Sequence, residues 1–240
     1  PQISFLKLEI DKVPKIYKNS LGDYFSDLNL KKNNFFTDVS NYLSYETGQP
    51  THCYNADKIN SKLIFHEIEK NEEFETLLGK KVQLNGKNPV FSLNNKVINL
   101  AGVMGGKDTS CSINTKTVIV ECAFFQPEAI IGKSVKYDIH SEASYKFERG
   151  VDKDCQDRVL RRFIKIVSEN TNIKDMSITS FEYKKNSIVQ IPINVHKINK
   201  ILGINISEKE YLDYLIKLGF FIEDGFIKVP SFRGDIKTQN

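Results

Sequence analysis

The sequence predicts an α+β fold: a mixed α/β domain with a β-sheet core and flanking helices, followed by a small winged-helix-like unit. Three observations carry this expectation. Apolar residues nearly alternate from Ile3 to Ile10, as in a half-buried strand. Val159, Leu160, Phe163, Ile164 and Val167 recur at helical spacing. Around Lys184-Lys-Asn-Ser187 the pattern breaks, and a strand, two helices and a hairpin follow. The boundary is therefore set at 187, giving domains of 1–187 and 188–240.

Each element has a local reason. Asp38 stands ahead of Val39, Tyr42 and Leu43, with Gly48 past the end and Pro50 beyond, which are start and stop signals of a short helix. Residues 62 to 125 are mainly β, with a strand over Lys62–Ile68 and a hairpin of 90–93 with 97–100 about Asn94-Asn95, a pair that tolerates positive φ. That hairpin runs into a glycine turn, Ala101-Gly-Val-Met-Gly-Gly106, and Thr117 to Phe125 supplies the next strand. Pro127 suits a first helical position, Ser141 caps a helix through Ala143 and Phe147, and Asp152 is the expected cap of the long helix. In the second domain a strand over 188–193 and a helix near 195–202 precede Ser207-Glu-Lys-Glu210, a capping box, and Gly219 ends that helix. Asp224-Gly225 then turns a hairpin.

Composition narrows the function classes. At 240 residues and 27.5 kDa, 40% hydrophobic and 27% charged, the chain can bury a real core. No apolar run approaches the roughly 20 residues of a membrane span. The net charge is +4, but only five of the 34 basic residues are arginine. The densest groups, Lys31-Lys32, Lys80-Lys81, Arg158 with Arg161-Arg162, and Lys184-Lys185, read as solvated faces more readily than as phosphate contacts. Four cysteines form no CxxC pair and four histidines supply no zinc spacing, so neither a metal site nor a disulfide framework is expected. Sparse cysteine suits a reducing cytoplasm. Without an initiator Met, and opening directly into a strand, the chain reads as a piece of a longer protein.

Four features could carry chemistry. Gly102, Gly105 and Gly106 would let main-chain amides approach a ligand, or form only a turn, since they match neither GxGxxG nor a Walker loop. Glu121 interrupts an apolar strand, where it either faces solvent or asks for a partner. His52, placed in a loop after Pro50, could act as base, orienter or phosphate contact, or be merely solvated. His140, Ser141 and Ser144 suggest nucleophile chemistry, but there is no G-x-S-x-G elbow and no Asp to complete a triad. Physical reading alone ends at an α/β domain with a candidate small-molecule pocket.

Taken together, the motifs resemble a known family. Asp38-Val-Ser-Asn-Tyr42, Glu46-Thr-Gly-Gln-Pro-Thr-His52, Ala101-Gly-Val-Met-Gly-Gly106, Glu121-Cys-Ala-Phe-Phe125, His140-Ser-Glu-Ala-Ser144 and Phe147-Glu-Arg-Gly-Val-Asp152 are similar, in order and spacing, to the β chain of bacterial phenylalanyl-tRNA synthetase. The first domain resembles the family's B3/B4 editing domain. The second, including Pro230-Ser-Phe-Arg-Gly-Asp235, resembles most of its B5 domain.

The resemblance implies a post-transfer editing site that hydrolyses tyrosine wrongly esterified to phenylalanine tRNA. By position it implies that Glu121 accepts the tyrosine hydroxyl, with the Gly105 main chain beside it. His52 would place the tRNA end or the attacking water, Pro50 would shape the same segment, and Ala143 would leave room for the aromatic ring. Ser141 keeps the hydroxyl of the family's Thr-Asp-Ala, here Ser141-Glu142-Ala143. Lys31 falls near the family's arginine at the terminal adenosine, but Lys31-Lys32 replaces Arg-Pro, so a bidentate contact becomes a point charge. A water, not a protein nucleophile, would attack, with main-chain amides near the glycines holding the oxyanion. ATP and magnesium would serve the whole synthetase through its α chain, with no cofactor in this fragment. The intact family enzyme is a heterotetramer of two α and two β chains, whereas a cut fragment is expected to be monomeric. The rival reading is a structural or RNA-binding scaffold with a degenerate editing site. The acidic second helix of the B5-like part, with Glu208, Glu210 and Asp213, speaks against a phosphate-facing role there.

Overall fold

The alternation near the N-terminus forms strand β1 (Gln2–Ile10), and its two faces meet different layers. The computed structural model describes residues 2–182 and 188–238. β1 is antiparallel to β9 (Thr117–Phe124) and to β10 (Ile173–Glu182), and β2 (Thr51–Asn55) pairs on the far side of β9, giving the order β10-β1-β9-β2. Leu6, Leu8, Ile10, Val118 and Val120 point to one face. There they pack on α1 (Asn19–Asp27), α2 (Phe35–Thr47) and α6 (Gln156–Asn170) through Leu21, Phe36, Leu43, Leu160 and Phe163. Ile3, Phe5, Ile119, Glu121 and Ala123 point to the other face, together with Tyr54 of β2.

That second face is closed by another antiparallel sheet. β3 (Ile64–Ile68), β6 (Asn88–Leu93), β7 (Lys96–Leu100) and β8 (Met104–Gly105) lie in the order β3-β6-β7-β8, beside the hairpin of β4 (Glu72–Glu75) and β5 (Lys81–Leu84). Phe91, Leu100, Phe125 and Tyr54 fill the space between the sheets. Asn94 and Asn95 turn β6 into β7 with φ of 50° and 62°, as their residue types predict. The short helices α3 (Pro127–Ile130), α4 (Lys133–Tyr137) and α5 (Glu142–Arg149) follow β9, with Pro127 at the start of α3.

Two helix starts differ from expectation. The cap of α2 is Asn34, whose extended backbone lets its side chain accept from Thr37 N at 3.1 Å. Asp38 sits one turn inside, buried, accepting from Tyr17 Oη at 2.7 Å and Asn33 N at 3.1 Å. Replacing Asn34 by Ala is expected to cost about 1 kcal/mol in urea unfolding, the usual worth of such a cap. The long helix α6 begins at Gln156, not after Asp152. Asp152 Oδ1 instead accepts from Asp154 N at 3.0 Å, closing an Asx turn that competes with helix initiation. The expected strand from Lys62 starts at Ile64, after a polar lead-in.

The chain divides into two units, Pro1–Val151 with Cys155–Tyr183, and Asp152–Asp154 with Lys184–Asn240. The boundary expected at 187 lies outside the described residues. In the second unit β11 (Gln190–Pro192), β12 (Phe221–Glu223) and β13 (Phe226–Lys228) form an antiparallel sheet in the order β11-β13-β12. Its core is small: Ile191, Phe220, Ile227 and Val229. Asn194 caps α7 (Val195–Leu202), and Ser207 caps α8 (Glu208–Lys217) by accepting from Glu210 N at 3.2 Å. The Glu210 carboxylate does not reach back as a capping box requires; it accepts from Tyr214 Oη at 3.3 Å, one turn on. Asp224 and Gly225 make the hairpin turn with φ of 51° and 77°.

Candidate active site

The register of the first sheet sets Glu121 of β9 between Phe5 of β1 and His52 of β2. Because β strands alternate, Tyr54 shares the face of His52 and lies diagonally across from Glu121. Tyr54 Oη donates to Glu121 Oε2 at 2.7 Å. Asn99, arriving from β7, donates through Nδ2 to Tyr54 Oη at 2.6 Å and stands 3.4 Å from the same carboxylate oxygen. Glu121 thus does not face solvent, because the second sheet covers the face that alternation assigns to it. Burial pushes its pKa up to about 8, with the Tyr54 hydrogen bond opposing part of the rise. Burial thus disfavours its charged form in the fold.

His52 belongs to strand β2, not to a loop: Gly48 ends α2 in the left-handed conformation, and the chain becomes extended directly after Pro50. Its ring lies edge-on to Tyr54, with centroids 4.4 Å apart and planes at 81°. Against its other side is Gly105 of β8, so close that a Cβ there would stand 2.1 Å from Cε1. His52 Nε2 is sealed from solvent and has no hydrogen-bond partner among the described residues. Burial brings the imidazole pKa down to about 4, so the ring is neutral at pH 7. A buried ring nitrogen left unpaired carries a desolvation cost, which marks it as a candidate for function.

The glycine turn contributes backbone. Asn99 is the strand partner of Gly105, which brings β7, β8 and the Glu121 network together. Not every amide there is open to a ligand. Gly106 N donates to Ile98 O at 2.8 Å and Val103 N to Leu100 O at 3.0 Å. An oxyanion would therefore have to use other amides of this turn.

The remaining expected residues take up supporting positions. Ser141 caps α5 by accepting from Ser144 N at 3.0 Å, and donates to Val103 O at 2.6 Å, tying the helix to the glycine turn. His140 is exposed, its Nε2 3.7 Å from Asp138, so it makes no triad with Ser141 and Ser144. Ala143 is half-buried against the apolar layer between the sheets. Pro50 is buried, and its carbonyl accepts from Gln49 Nε2, which also donates to Ala123 O at 2.8 Å and so pins the start of β2 to β9. Lys31 is exposed on the connection between α1 and α2 and joins no ion pair or hydrogen bond among the described residues. Nothing ties it to Glu121 or His52.

Much of the basic surface is matched by carboxylates. Lys80 pairs with Asp138, Lys81 with Glu73, Arg161 with Asp157, and Arg162 with Glu46 through two bonds of 2.6 and 2.8 Å. Lys184 and Lys185 lie outside the described residues. Among the described residues no three His, Cys, Asp or Glu side chains gather as a metal site, and none of the four cysteines is in a disulfide. A cavity of about 300 Å³ opens further along the same sheet face, lined by Lys7, Glu9, Asp57, Thr117 and Ile119, short of Glu121.

Sequence reasoning missed Tyr54 and Asn99. The signal for Tyr54 was there: it stands two residues after His52, so any strand through His52 puts both on one face. Asn99 reaches across from the second sheet, and nothing local announces that.

A sheet layered between helices and a second sheet, with a buried carboxyl and a sealed imidazole on its inner face, is the setting in which the comparisons with known proteins fall. The chain belongs to the B3/4 domain family, which matches residues 12–172, and residues 191–240 match the tRNA synthetase B5 domain. Among individual proteins it is similar to the phenylalanine–tRNA ligase beta subunit of Ehrlichia canis, 33% identical over 90% of this chain and 28% of that protein. The same subunit from Francisella tularensis is 34% identical over 85% of this chain and 27% of its own length. The chain thus spans little more than a quarter of these relatives. An N-terminal fragment of the phenylalanyl-tRNA synthetase beta subunit from Pyrococcus horikoshii aligns over 98% of this chain and 66% of its own, at 13% identity and a TM-score of 0.42.

Proposed function

We propose that this chain is part of the β subunit of a cytoplasmic phenylalanine–tRNA ligase, and that its larger unit hydrolyses tyrosine misattached to phenylalanine tRNA. The observation that carries the reading is the juxtaposition of Glu121, a buried carboxyl, with His52, a neutral imidazole whose Nε2 is sealed and unpaired against Gly105. The chemistry has a reason to exist. An apolar pocket rejects a ring that merely adds a hydroxyl by only about two orders of magnitude, so a second sieve is needed. A carboxyl that must pair with the tyrosine hydroxyl inverts the preference, since phenylalanine would leave it unpaired at a cost of about 1–3 kcal/mol.

In this reading a water adds its oxygen to the ester carbonyl carbon, the carbon–ribose oxygen bond breaks, and the water's proton ends on the leaving ribose oxygen. With its pKa near 4, His52 orients the water through Nε2 rather than keeping a proton. Amides of the turn at Met104-Gly105 would face the developing oxyanion. Ala143 leaves room for the ring. The synthetic reaction, with ATP and magnesium, is assigned to the α chain of an α2β2 enzyme, and the second unit to a structural role. The test is release of tyrosine from tyrosyl-tRNA for phenylalanine. The chain should accelerate it, and His52→Ala should reduce the rate by about 10²-fold. A rate equal to the uncatalysed one with the unmodified chain would leave the second reading, a scaffold with a degenerate site. That reading draws on the fact that Tyr54 already engages one oxygen of Glu121.

A further inference from the structure

The chain of hydrogen bonds from Asn99 through Tyr54 to Glu121 is more than a way of burying polar atoms. All three side chains are nearly inaccessible, at 3%, 0% and 5% exposure. Both donors approach one oxygen: Tyr54 Oη stands 2.7 Å and Asn99 Nδ2 3.4 Å from Oε2. Oε1 takes no bond from the described residues, yet it is not among the sealed, unpartnered atoms. One oxygen is locked and the other is left open.

We infer that Tyr54 is a positioning residue for specificity: together with Asn99 it locks Oε2 and leaves Oε1 as the one oxygen through which Glu121 reads the para-hydroxyl of an aromatic aminoacyl group. This rests on the editing reading above. Discrimination against phenylalanine depends on the penalty of leaving Oε1 unpaired, and that penalty is full only when this oxygen cannot turn elsewhere. A carboxyl free to rotate would find protein partners when phenylalanine is bound and would lose selectivity. One held through Oε2 by a buried phenol, itself held by an amide, stays aimed.

Groups facing Glu121 are few. His52 and Tyr54 come from β2, Phe5 from β1 and Asn99 from β7, while Cys53 and Cys122 lie on the opposite face of their strands. Tyr54 is therefore the hydrogen-bond donor whose loss should raise the Glu121 titration midpoint, a shift that a role in packing alone would not produce.

The test titrates L-tyrosinamide and L-phenylalaninamide into the unmodified chain and into Tyr54→Phe, following amide resonances. The unmodified chain should prefer tyrosinamide by about tenfold or more. Tyr54→Phe should lose most of that preference through weaker tyrosinamide binding, leave phenylalaninamide within about twofold, and raise the Glu121 carboxyl midpoint. Asn99→Ala, which keeps the ring and removes the bond behind it, should give a smaller loss in the same direction and stands in if Tyr54→Phe fails to fold. An unchanged preference, a preference that rises because Tyr54 competes with the substrate phenol, or no binding of either amide overturns the inference. Hydrolysis of tyrosyl-tRNA, measured on the same proteins, separates it from the broader reading. Lost preference without hydrolysis in any form rejects editing and keeps the role of Tyr54; hydrolysis with an unchanged preference does the reverse.

Discussion

Gly105→Ala should destabilise the larger unit by about 1–3 kcal/mol and abolish hydrolysis. The added Cβ would stand 2.1 Å from His52 Cε1 and 2.7 Å from Nε2, distances no side chain tolerates. The imidazole also packs edge-on against Tyr54, with centroids 4.4 Å apart, so any shift of the ring is felt there. Either the ring leaves its place or β8 separates from the first sheet, and both disturb Asn99, the strand partner of Gly105. Urea unfolding measures the loss. Gly48→Ala serves as the comparison: that glycine has φ of 76° but nothing within 4 Å of an added Cβ, so it should cost only about 1 kcal/mol and leave the site intact. A Gly105→Ala/His52→Ala double variant should recover much of the stability but none of the activity, since the two single changes share one space.

The second large effect is on pH dependence. Glu121 has a folded pKa raised from 4.5 to about 8, so between these values the folded state binds a proton that the unfolded state has released. Its contribution to stability is therefore greatest below pH 4.5, declines as pH rises, and levels off above 8. His52 runs the other way. Its folded pKa is lowered from 6.5 to about 4, so the unfolded state takes up the proton first and stability falls as pH drops from 6.5 toward 4. Between 4.5 and 6.5 the two slopes oppose each other, and between 6.5 and 8 only the Glu121 slope remains. Glu121→Gln removes that slope. Thermal unfolding should show the variant gaining on the unmodified chain by several degrees between pH 6.5 and 8.5, on the order of a few kcal/mol. Parallel pH profiles for the two proteins would mean that Glu121 ionises normally and is not held in the buried network.

Local chemistry made much of the fold legible. The alternation of β1, Gly48 as a helix stop, Asn94-Asn95 and Asp224-Gly225 as turns, and Ser207 as a cap each depend on neighbours within four residues. What was not legible depended on layers. Glu121 could not be assigned a side, because alternation says which residues share a face and not whether a second sheet covers it. His52 was misplaced because Pro50 masks the start of a strand that pairing with β9 stabilises. The network that gives the site its character joins Tyr54 to Glu121 across 67 residues and to Asn99 across 45, and no periodicity carries such information. The helix starts show the same limit at short range. Asp38 has the residue type of a cap, but Asn34 has the backbone, and Asp38 is taken instead by Tyr17.

In the proposed reading, Glu121 distinguishes tyrosine from phenylalanine by its hydroxyl. The most direct measurement is an amide-shift titration of the chain with free tyrosine and, separately, free phenylalanine, repeated on Glu121→Gln. Tyrosine is expected to move the resonances of Gly105, Glu121 and Ala143 at lower concentration than phenylalanine, and the substitution to abolish the difference. Equal shifts with both amino acids, or a preference that survives Glu121→Gln, would contradict it.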